Sequence, residues 1–125
     1  MRFVMLIYEN QAAFAERDKG PDSAYIGAWR AYHQALLKAN AYLGGAPLKA
    51  SDTATTVRVK DGKRRVQDGP FAEAKEQLGG FILLELPSLD AALDWAAKCP
   101  ATGWGAVEVR PEDVDCHEAV IQGRA

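Results

Sequence analysis

The chain has 125 residues, of which 48% are hydrophobic and 26% charged, and its net charge is −2. This size and composition are typical of a single soluble domain with one modest core, so a large active-site cleft would have to be shared with a second subunit. The nearly balanced charge disfavours a nucleic-acid partner, which needs a concentrated basic face. No apolar run is long enough for a membrane span or a signal-peptide core, and we expect a cytoplasmic protein without membrane contact.

The first third of the chain predicts a buried strand followed by a long helix. Residues 3–8 form an unbroken apolar run, typical of a strand buried on both faces. A lead-in follows, with at most one helical turn at residues 12–16. Asp22 or Ser23 can then cap a helix that we expect to end near Ala39. Apolar residues recur along it at spacings of three and four, which predicts one buried face: Tyr25, Ile26, Trp29, Tyr32, Leu36 and Leu37.

The middle of the chain predicts an irregular strand and a hairpin. Residues 42–48 contain two glycines and a proline, so we expect a strand with a bulge or bend. Residues 53–60 alternate between two faces, and residues 63–67 return as the partner strand. Asp61 and Gly62 between them form a two-residue hairpin turn, because both residues tolerate positive φ.

A short helix is predicted after the hairpin. Pro70 follows a sheet-breaking Asp68-Gly69 pair and suits the first position of a helix through Lys75. The glycine pair at positions 79–80 would end this helix.

The last part of the domain predicts a strand, a helix and a strand. Residues 81–86 form a second apolar strand, and a final strand is expected from residue 104 or 105 to residue 110. Between them, Ser88 can cap a helix that runs to about Cys99. We expect its inward residues to be Leu89, Leu93 and Ala96.

This order of elements favours an α+β fold. Without the hairpin and the short helix it follows the ferredoxin-like βαββαβ plan, in which both helices pack on one face of an antiparallel sheet. The two apolar strands direct apolar side chains to both faces of that sheet. We therefore expect a second copy of the chain to cover the face without helices.

His33 is the first candidate functional residue. A helical wheel places it among Ile26, Trp29 and Leu36, so we expect its side chain near the middle of the apolar face. It is either a core histidine bonded to one acceptor or a general acid/base controlled by a neighbouring carboxylate.

Asp68 is the second candidate. It stands at the end of a predicted strand and before a proline-started helix, where an aspartate is most often an N-cap or turn residue. The same position suits a site carboxylate, and the two roles can coexist. The sequence leaves open whether Asp68 reaches His33.

Four further residues are candidates for ligand binding. Trp29, Phe71 and Trp104 would supply apolar walls for a small organic molecule, although aromatic residues at such spacing are most often core. Glu73 would contact a polar group, although a charge there is more often solvated surface.

We expect neither a metal nor a cofactor. Residues 113–118 contain Cys116 and His117 but lack the paired ligand spacing of a structural zinc site. The chain has no Walker loop, no GxGxxG, no GxSxG and no HExxH motif.

Residues 68–81, with the sequence DGPFAEAKEQLGGF, resemble the signature of the DGPF-domain branch of the YCII-related family. The similarity extends over nearly the whole chain to Pro111, in the segments 1–8, 53–59 and 107–111. We therefore expect one domain at residues 1–111 and a C-terminal extension at residues 112–125. The extension is either a tail or a segment that contacts the second subunit of a dimer.

The resemblance implies a fold of the dimeric α/β barrel superfamily, in which two ferredoxin-like sheets pack face to face. In the wider family, a histidine on the first helix and an aspartate are the suggested site pair, and His33 and Asp68 are the matching residues here. Bacterial DGPF genes often neighbour sigma factors of the extracytoplasmic class, which suggests a stress or regulatory role.

Two functions stay open. In one, the homodimer is a cofactor-independent enzyme in which His33 moves a proton in an apolar pocket and Asp68 orients the imidazole. In the other, the same pocket only binds a small molecule, or the dimer surface engages a regulatory protein.

Overall fold

The computed structural model describes residues 1–122 and confirms the α+β class. Its strands and α-helices are, in chain order, β1 (Arg2–Glu9), α1 (Gln11–Arg17), α2 (Ala24–Lys38), β2 (Tyr42–Pro47), β3 (Thr55–Lys60), β4 (Lys63–Asp68), β5 (Gln77–Glu85), α3 (Leu89–Lys98), β6 (Gly105–Pro111) and α4 (Val114–Ile121). Short 3-10 helices follow β2, at Ser51–Thr53, and α3, at Pro100–Gly103.

Four strands form one antiparallel sheet in the order β2-β5-β1-β6. Together with α2 and α3 they follow the predicted ferredoxin-like βαββαβ plan. Strands β3 and β4 form a separate two-stranded sheet, which is the predicted hairpin inserted between β2 and β5. Asp61 and Gly62 at its turn have φ angles of 52° and 74°, as a two-residue turn of this type requires.

The core lies between one face of the four-stranded sheet and the two helices. Phe3, Met5 and Ile7 alternate along β1 and are buried, whereas the side chains between them are only partly buried. Leu36 of α2 and Ala96 of α3 belong to the same buried cluster, so both helices cover this face. The opposite face is less well covered within the chain.

The predicted N-caps at Ser23 and Ser88 are confirmed, but α3 is rotated about its axis relative to our expectation. The Ser88 hydroxyl accepts a hydrogen bond from the Ala91 amide at 3.1 Å, as an N-cap does. Leu89 and Leu93, expected inward, are about half exposed, and the buried positions are Ala92 and Ala96. The rotation brings the large ring of Trp95 against Tyr32, 5.9 Å between centroids, and this aromatic contact takes the place of two leucine contacts.

The predicted short helix at residues 70–75 is wrong, because the segment between β4 and β5 is irregular. Phe71 is 76% exposed, so the segment has no buried apolar face to stabilise a helix. Gly79 and Gly80 lie inside β5 rather than at a helix end. A Cβ atom at Gly80 would come within 2.9 Å of the Ala46 carbonyl oxygen, so the close approach of β2 requires glycine there.

The predicted C-terminal extension contains α4. The Asp113 side chain caps this helix by accepting a hydrogen bond from the Cys116 amide at 2.9 Å. Within residues 112–122, the part of the extension that the structure describes, no side chain of the helix is buried. Among residues 1–122, no helix has the length and apolar character needed to cross a membrane.

Candidate functional site

A cavity of about 520 Å³ lies between α2 and the sheet. One stripe of α2 forms a wall, because residues three and four apart share a helix face. This wall contains Tyr25, Ile26, Trp29, Tyr32, His33 and Leu36. The facing wall comes from β1, β2 and β5 and includes Ile7, Tyr42, Pro47, Gly80 and Ile82. We call this space the α2 cavity; its lining is predominantly apolar.

A chain of edge-to-face aromatic contacts holds the α2 wall in place. Its members are, in spatial order, Trp104, Tyr25, Trp29, Tyr32 and Trp95. Trp29 is held on both sides, with ring centroids 6.5 Å from Tyr25 and 6.0 Å from Tyr32. Its indole nitrogen is buried without a hydrogen-bond partner of normal geometry among the described residues. The Trp29 ring therefore lines the cavity with its apolar surface, and its nitrogen lies inside the core.

An ion pair between buried Glu9 and partly buried Arg17 lies beside the α2 cavity, and sequence reasoning missed it. The Glu9 side chain is fully buried and accepts hydrogen bonds from the Tyr25 hydroxyl at 2.6 Å and from Arg17 Nη2 at 3.0 Å. Arg17 also donates to the carbonyl oxygens of Gly79, at 2.9 Å, and Leu48. Because a buried carboxylate without partners is costly, these contacts make Glu9 compatible with the core.

This cluster makes one end of the α2 cavity polar. Burial raises the pKa of Tyr25, and the bond to Glu9 raises it further, so the phenol stays neutral and its proton points to Glu9. Burial lowers the pKa of Arg17, but the neighbouring oxygens of Tyr25 and Glu9 raise it by more, so the guanidinium stays charged. Arg17 and Tyr25 both line the cavity.

One pattern in the sequence could have identified Glu9. Residues 3, 5 and 7 form the buried face of β1, and a period of two places residue 9 on that same face. An acidic residue that continues a buried stripe must have a partner inside the protein. The sequence alone therefore predicts that Glu9 has a polar partner inside the protein.

His33 lies at the edge of the α2 cavity and is exposed to solvent. The buried stripe of α2 is centred on Tyr25, Tyr32 and Leu36, about 80° around the helix from His33. The expected position in the middle of the apolar face is therefore wrong, and so is the alternative of a core histidine. The His33 ring packs edge to face on Tyr42, with centroids 4.6 Å apart. This contact holds the imidazole beside the cavity.

Asp68 is the last residue of β4, where it pairs with Thr55 and is exposed. No helix follows it, so it is not an N-cap. It is absent from the described residues that line the α2 cavity, and no hydrogen bond joins it to His33 within residues 1–122. The pairing of His33 with Asp68 stays a prediction.

The remaining predicted ligand residues occupy different places. Phe71 lies under the Arg58 guanidinium, 5.0 Å from its ring centroid, away from the α2 cavity. Glu73 borders a larger groove of about 1350 Å³ that α1 and the loop after β2 also line. Trp104 supports Tyr25 from outside the cavity lining. Among the four, Trp29 alone lines the α2 cavity, and the ligand contacts of the other three stay predictions.

Cys99, Cys116 and His117 do not cluster with other metal-binding side chains in the part of the chain that the structure describes. Within residues 1–122 there is no group of three or more side chains placed to hold a metal ion. Cys99 is buried, and burial raises the pKa of its thiol to about 11, so it is not a thiolate nucleophile at neutral pH. Cys116 is exposed on α4, and His117 Nδ1 lies 3.2 Å from Glu112.

Comparison with known proteins shows the family. The YCII-related domain family matches residues 1–111, and the chain belongs to this family. A relative, the uncharacterised protein R00369 of Rhizobium meliloti (strain 1021), is 36% identical over 115 residues, which are 89% of this chain and 91% of the relative.

The fold is also similar to that of an enzyme of known structure. This is the 5-chloro-2-hydroxyhydroquinone dehydrochlorinase (TftG) of Burkholderia phenoliruptrix AC1100, in complex with 2,5-dihydroxybenzoquinone. The TM-score is 0.50 and the identity 17%, over 90% of this chain and 94% of that chain. At this identity the likeness concerns the fold alone.

Proposed function

We propose that the protein binds a small, largely apolar organic molecule in the α2 cavity and that His33 transfers a proton to or from it. The observation that carries this proposal is the cavity itself, an apolar space of about 520 Å³ with an imidazole at its edge. Cavities of this size with few polar groups are typical of sites for small molecules.

The walls favour a flat ligand with an oxygen substituent. Trp29 and Tyr42 offer aromatic surfaces, which contact planar molecules well. Arg17 favours an oxygen substituent with a partial negative charge at the polar end of the cavity. The dehydrochlorinase with the similar fold acts on a hydroxylated ring compound, which supports the same class of ligand.

His33 suits proton transfer because a neutral imidazole has one nitrogen that can accept a proton and one that can donate it. Its exposure allows exchange of that proton with solvent, and its contact with Tyr42 limits the movement of the ring. Asp68 would orient the imidazole if the two side chains meet when a ligand binds.

A second copy of the chain would complete the protein. The sheet face opposite the helices has apolar, partly buried side chains at Val4, Leu6, Phe81 and Leu83. A homodimer that buries this face would remove this apolar surface from water. Sedimentation velocity measures the oligomeric state directly.

Ligand binding can be tested on the three indole N–H signals in proton NMR. Titration with 2,5-dihydroxybenzoquinone, and then with a panel of small phenols and aromatic acids, should shift the signal of Trp29. The signal of Trp95, which is outside the cavity lining, is the internal control. Shifts confined to Trp95 and Trp104, or no shift with any compound, would contradict the proposed site.

Proton transfer is tested with the two histidines, which form a matched pair. His33→Asn should retain binding of 2,5-dihydroxybenzoquinone but reduce chloride release from 5-chloro-2-hydroxyhydroquinone, or turnover of a better substrate, by about 100-fold or more. His117→Asn, on α4, should leave both unchanged. Equal turnover in the two variants would overturn the role of His33, and no turnover by the wild-type chain would leave a binding protein without catalysis. Asp68→Asn should lower turnover only if its predicted pairing with His33 forms.

A further inference from the structure

Two elements of the chain have few packing partners of their own. Strands β3 and β4 form a sheet by themselves, and all six residues of β4 and five of the six in β3 are exposed. Helix α4 has eight residues and none of them is buried. Because a lone two-stranded hairpin and a helix of this length are both marginal in water, each gains stability from a partner.

One face of the hairpin carries three valines, with Arg64 near the turn and Asp68 at the far end of β4. Val57, Val59 and Val66 are 57%, 69% and 56% exposed. Alternation along each strand puts their side chains on the same face, because Val57 pairs with Val66 and Val59 pairs with Arg64. We call the surface made by these three valines and Arg64 the valine face.

The hairpin as a whole is strongly basic. Its opposite face places Arg58 across from Arg65 and Lys60 across from Lys63, although like charges in such pairs repel. With Arg64 these make five cations within residues 58–65, against one aspartate. None of the five forms an ion pair with another residue in the part of the chain that the structure describes. The hairpin therefore concentrates positive charge in one part of a chain whose net charge is −2.

Helix α4 carries the complementary pattern. Val114, Glu118 and Ile121 lie four and three residues apart, so they share one face of the helix. Val114 is 40% exposed and Ile121 70% exposed. Four acidic residues stand within residues 112–118, and of these Glu118 lies on that same face. We call Val114, Glu118 and Ile121 the helix face.

We propose that the hairpin of one copy docks on α4 of a second copy, with the valine face against the helix face and Arg64 opposite Glu118. Two hairpins would repel each other, and so would two α4 helices, whereas hairpin and helix attract. The apolar residues of each surface bury those of the other. This inference rests on the proposed homodimer and adds where its contacts lie.

The topology of the sheet allows both contacts to form at once. The hairpin leaves the sheet after β2 and α4 follows β6, and these two strands are the opposite edges of the sheet. These two strands run in opposite directions, so the hairpin and α4 stand at diagonally opposite corners of the sheet. In a face-to-face pair whose twofold axis runs along the other diagonal of the sheet, so that the strands of the two copies cross, the hairpin corner of one copy lies beside the α4 corner of the other. Such a dimer contains two equivalent hairpin–helix contacts and is closed.

Charge reversal tests this contact on the full-length chain by sedimentation velocity over a range of concentrations. Arg64→Glu and Glu118→Arg each create two repulsive pairs per dimer and should weaken self-association by about tenfold or more. An equimolar mixture of the two variants should recover the wild-type affinity as a heterodimer, because each repulsive pair is then replaced by an attractive one. Recovery on mixing requires contact between different copies.

The matched control is Lys63→Glu, which makes the same charge change on the other face of the hairpin. It should leave self-association within about twofold of wild type, and urea unfolding checks that every variant is folded. A dimer that none of the substitutions weakens would leave the homodimer standing and overturn the docking contact. A wild-type chain that stays monomeric would overturn both, and would leave the basic hairpin to an acidic partner of another kind.

Discussion

The partly buried cation Arg17 and the exposed cations of the β3–β4 hairpin show how differently one type of charge is used in this chain. Arg17 is shared by a carboxylate and two carbonyl oxygens beside the core. Arg58 and Arg65 face each other across two strands and form no ion pair among residues 1–122. A charge inside the fold is tied to the geometry of its neighbours, whereas a charge on the hairpin is free to serve an interaction with another molecule.

The largest expected difference is in the free energy of unfolding, when one arginine of each type is replaced by leucine. Arg17→Leu leaves Glu9 buried with an uncompensated charge and should lower the free energy of unfolding by about 3–5 kcal/mol. Arg65→Leu, an equal change on the hairpin, should alter it by less than about 0.5 kcal/mol. Urea unfolding at neutral pH measures both. Similar losses in the two variants would mean that the hairpin is as tightly integrated as the core.

The two cysteines extend the comparison to pH. Cys99 is buried with a pKa raised from about 9 to about 11, so the folded state holds its proton more tightly than the unfolded state. Its contribution to stability is therefore complete below about pH 9 and is lost as the pH rises to about 11, by about 3 kcal/mol. Burial also raises the pKa of Tyr32, which adds to the loss above about pH 10.

Urea unfolding between about pH 8 and about pH 11 measures this loss. Cys99→Ala should flatten the decline that begins near pH 9 and keep the later part due to Tyr32. The control Cys116→Ala should keep the whole decline, because that thiol is exposed on α4. The prediction fails if the two variants depend on pH in the same way.

The smallest expected effects come from two glycines and have opposite signs. Gly27 lies inside α2 with open space at its Cβ position, so Gly27→Ala should stabilise the protein by about 0.5–1 kcal/mol. Gly62 also has open space, but its φ of 74° is strained for any residue with a side chain, so Gly62→Ala should cost about 1 kcal/mol. Thermal unfolding of both variants measures the two changes, and a Gly62→Ala variant as stable as the wild type would contradict the strain at the turn.

Local signals in the sequence predicted the elements that depend on local geometry. The alternation in β3, the turn at Asp61 and the cap at Ser88 each depend on a few neighbouring residues, and all three are found. The helix expected at residues 70–75 fails because a helix of that length needs a surface to pack on, and the sequence does not show whether one is present.

The site was predictable only in part, because most of its geometry depends on contacts between residues far apart in the chain. Trp29 and His33 were identified because they stand on a helix with a clear apolar face. A helical wheel gives the angles between residues but not the rotation of the helix against the sheet, so it could not place His33 at the edge. The cluster around Glu9 joins residues far apart in the chain, Arg17, Tyr25 and Gly79 among them, and no local pattern brings them together.

Gly79 belongs to the segment that resembles the family signature, and it also contacts the ion pair of Glu9 and Arg17. A Cβ atom at this position would lie 3.0 Å from Arg17 Nη2 and 3.2 Å from Glu9 Oε1, and Gly79 also lines the α2 cavity. A larger residue here would narrow the ligand space and crowd the ion pair in the same step. An attempt to redesign the selectivity of the cavity at residue 79 would therefore also change the stability of the fold, and would need a compensating change at residue 17.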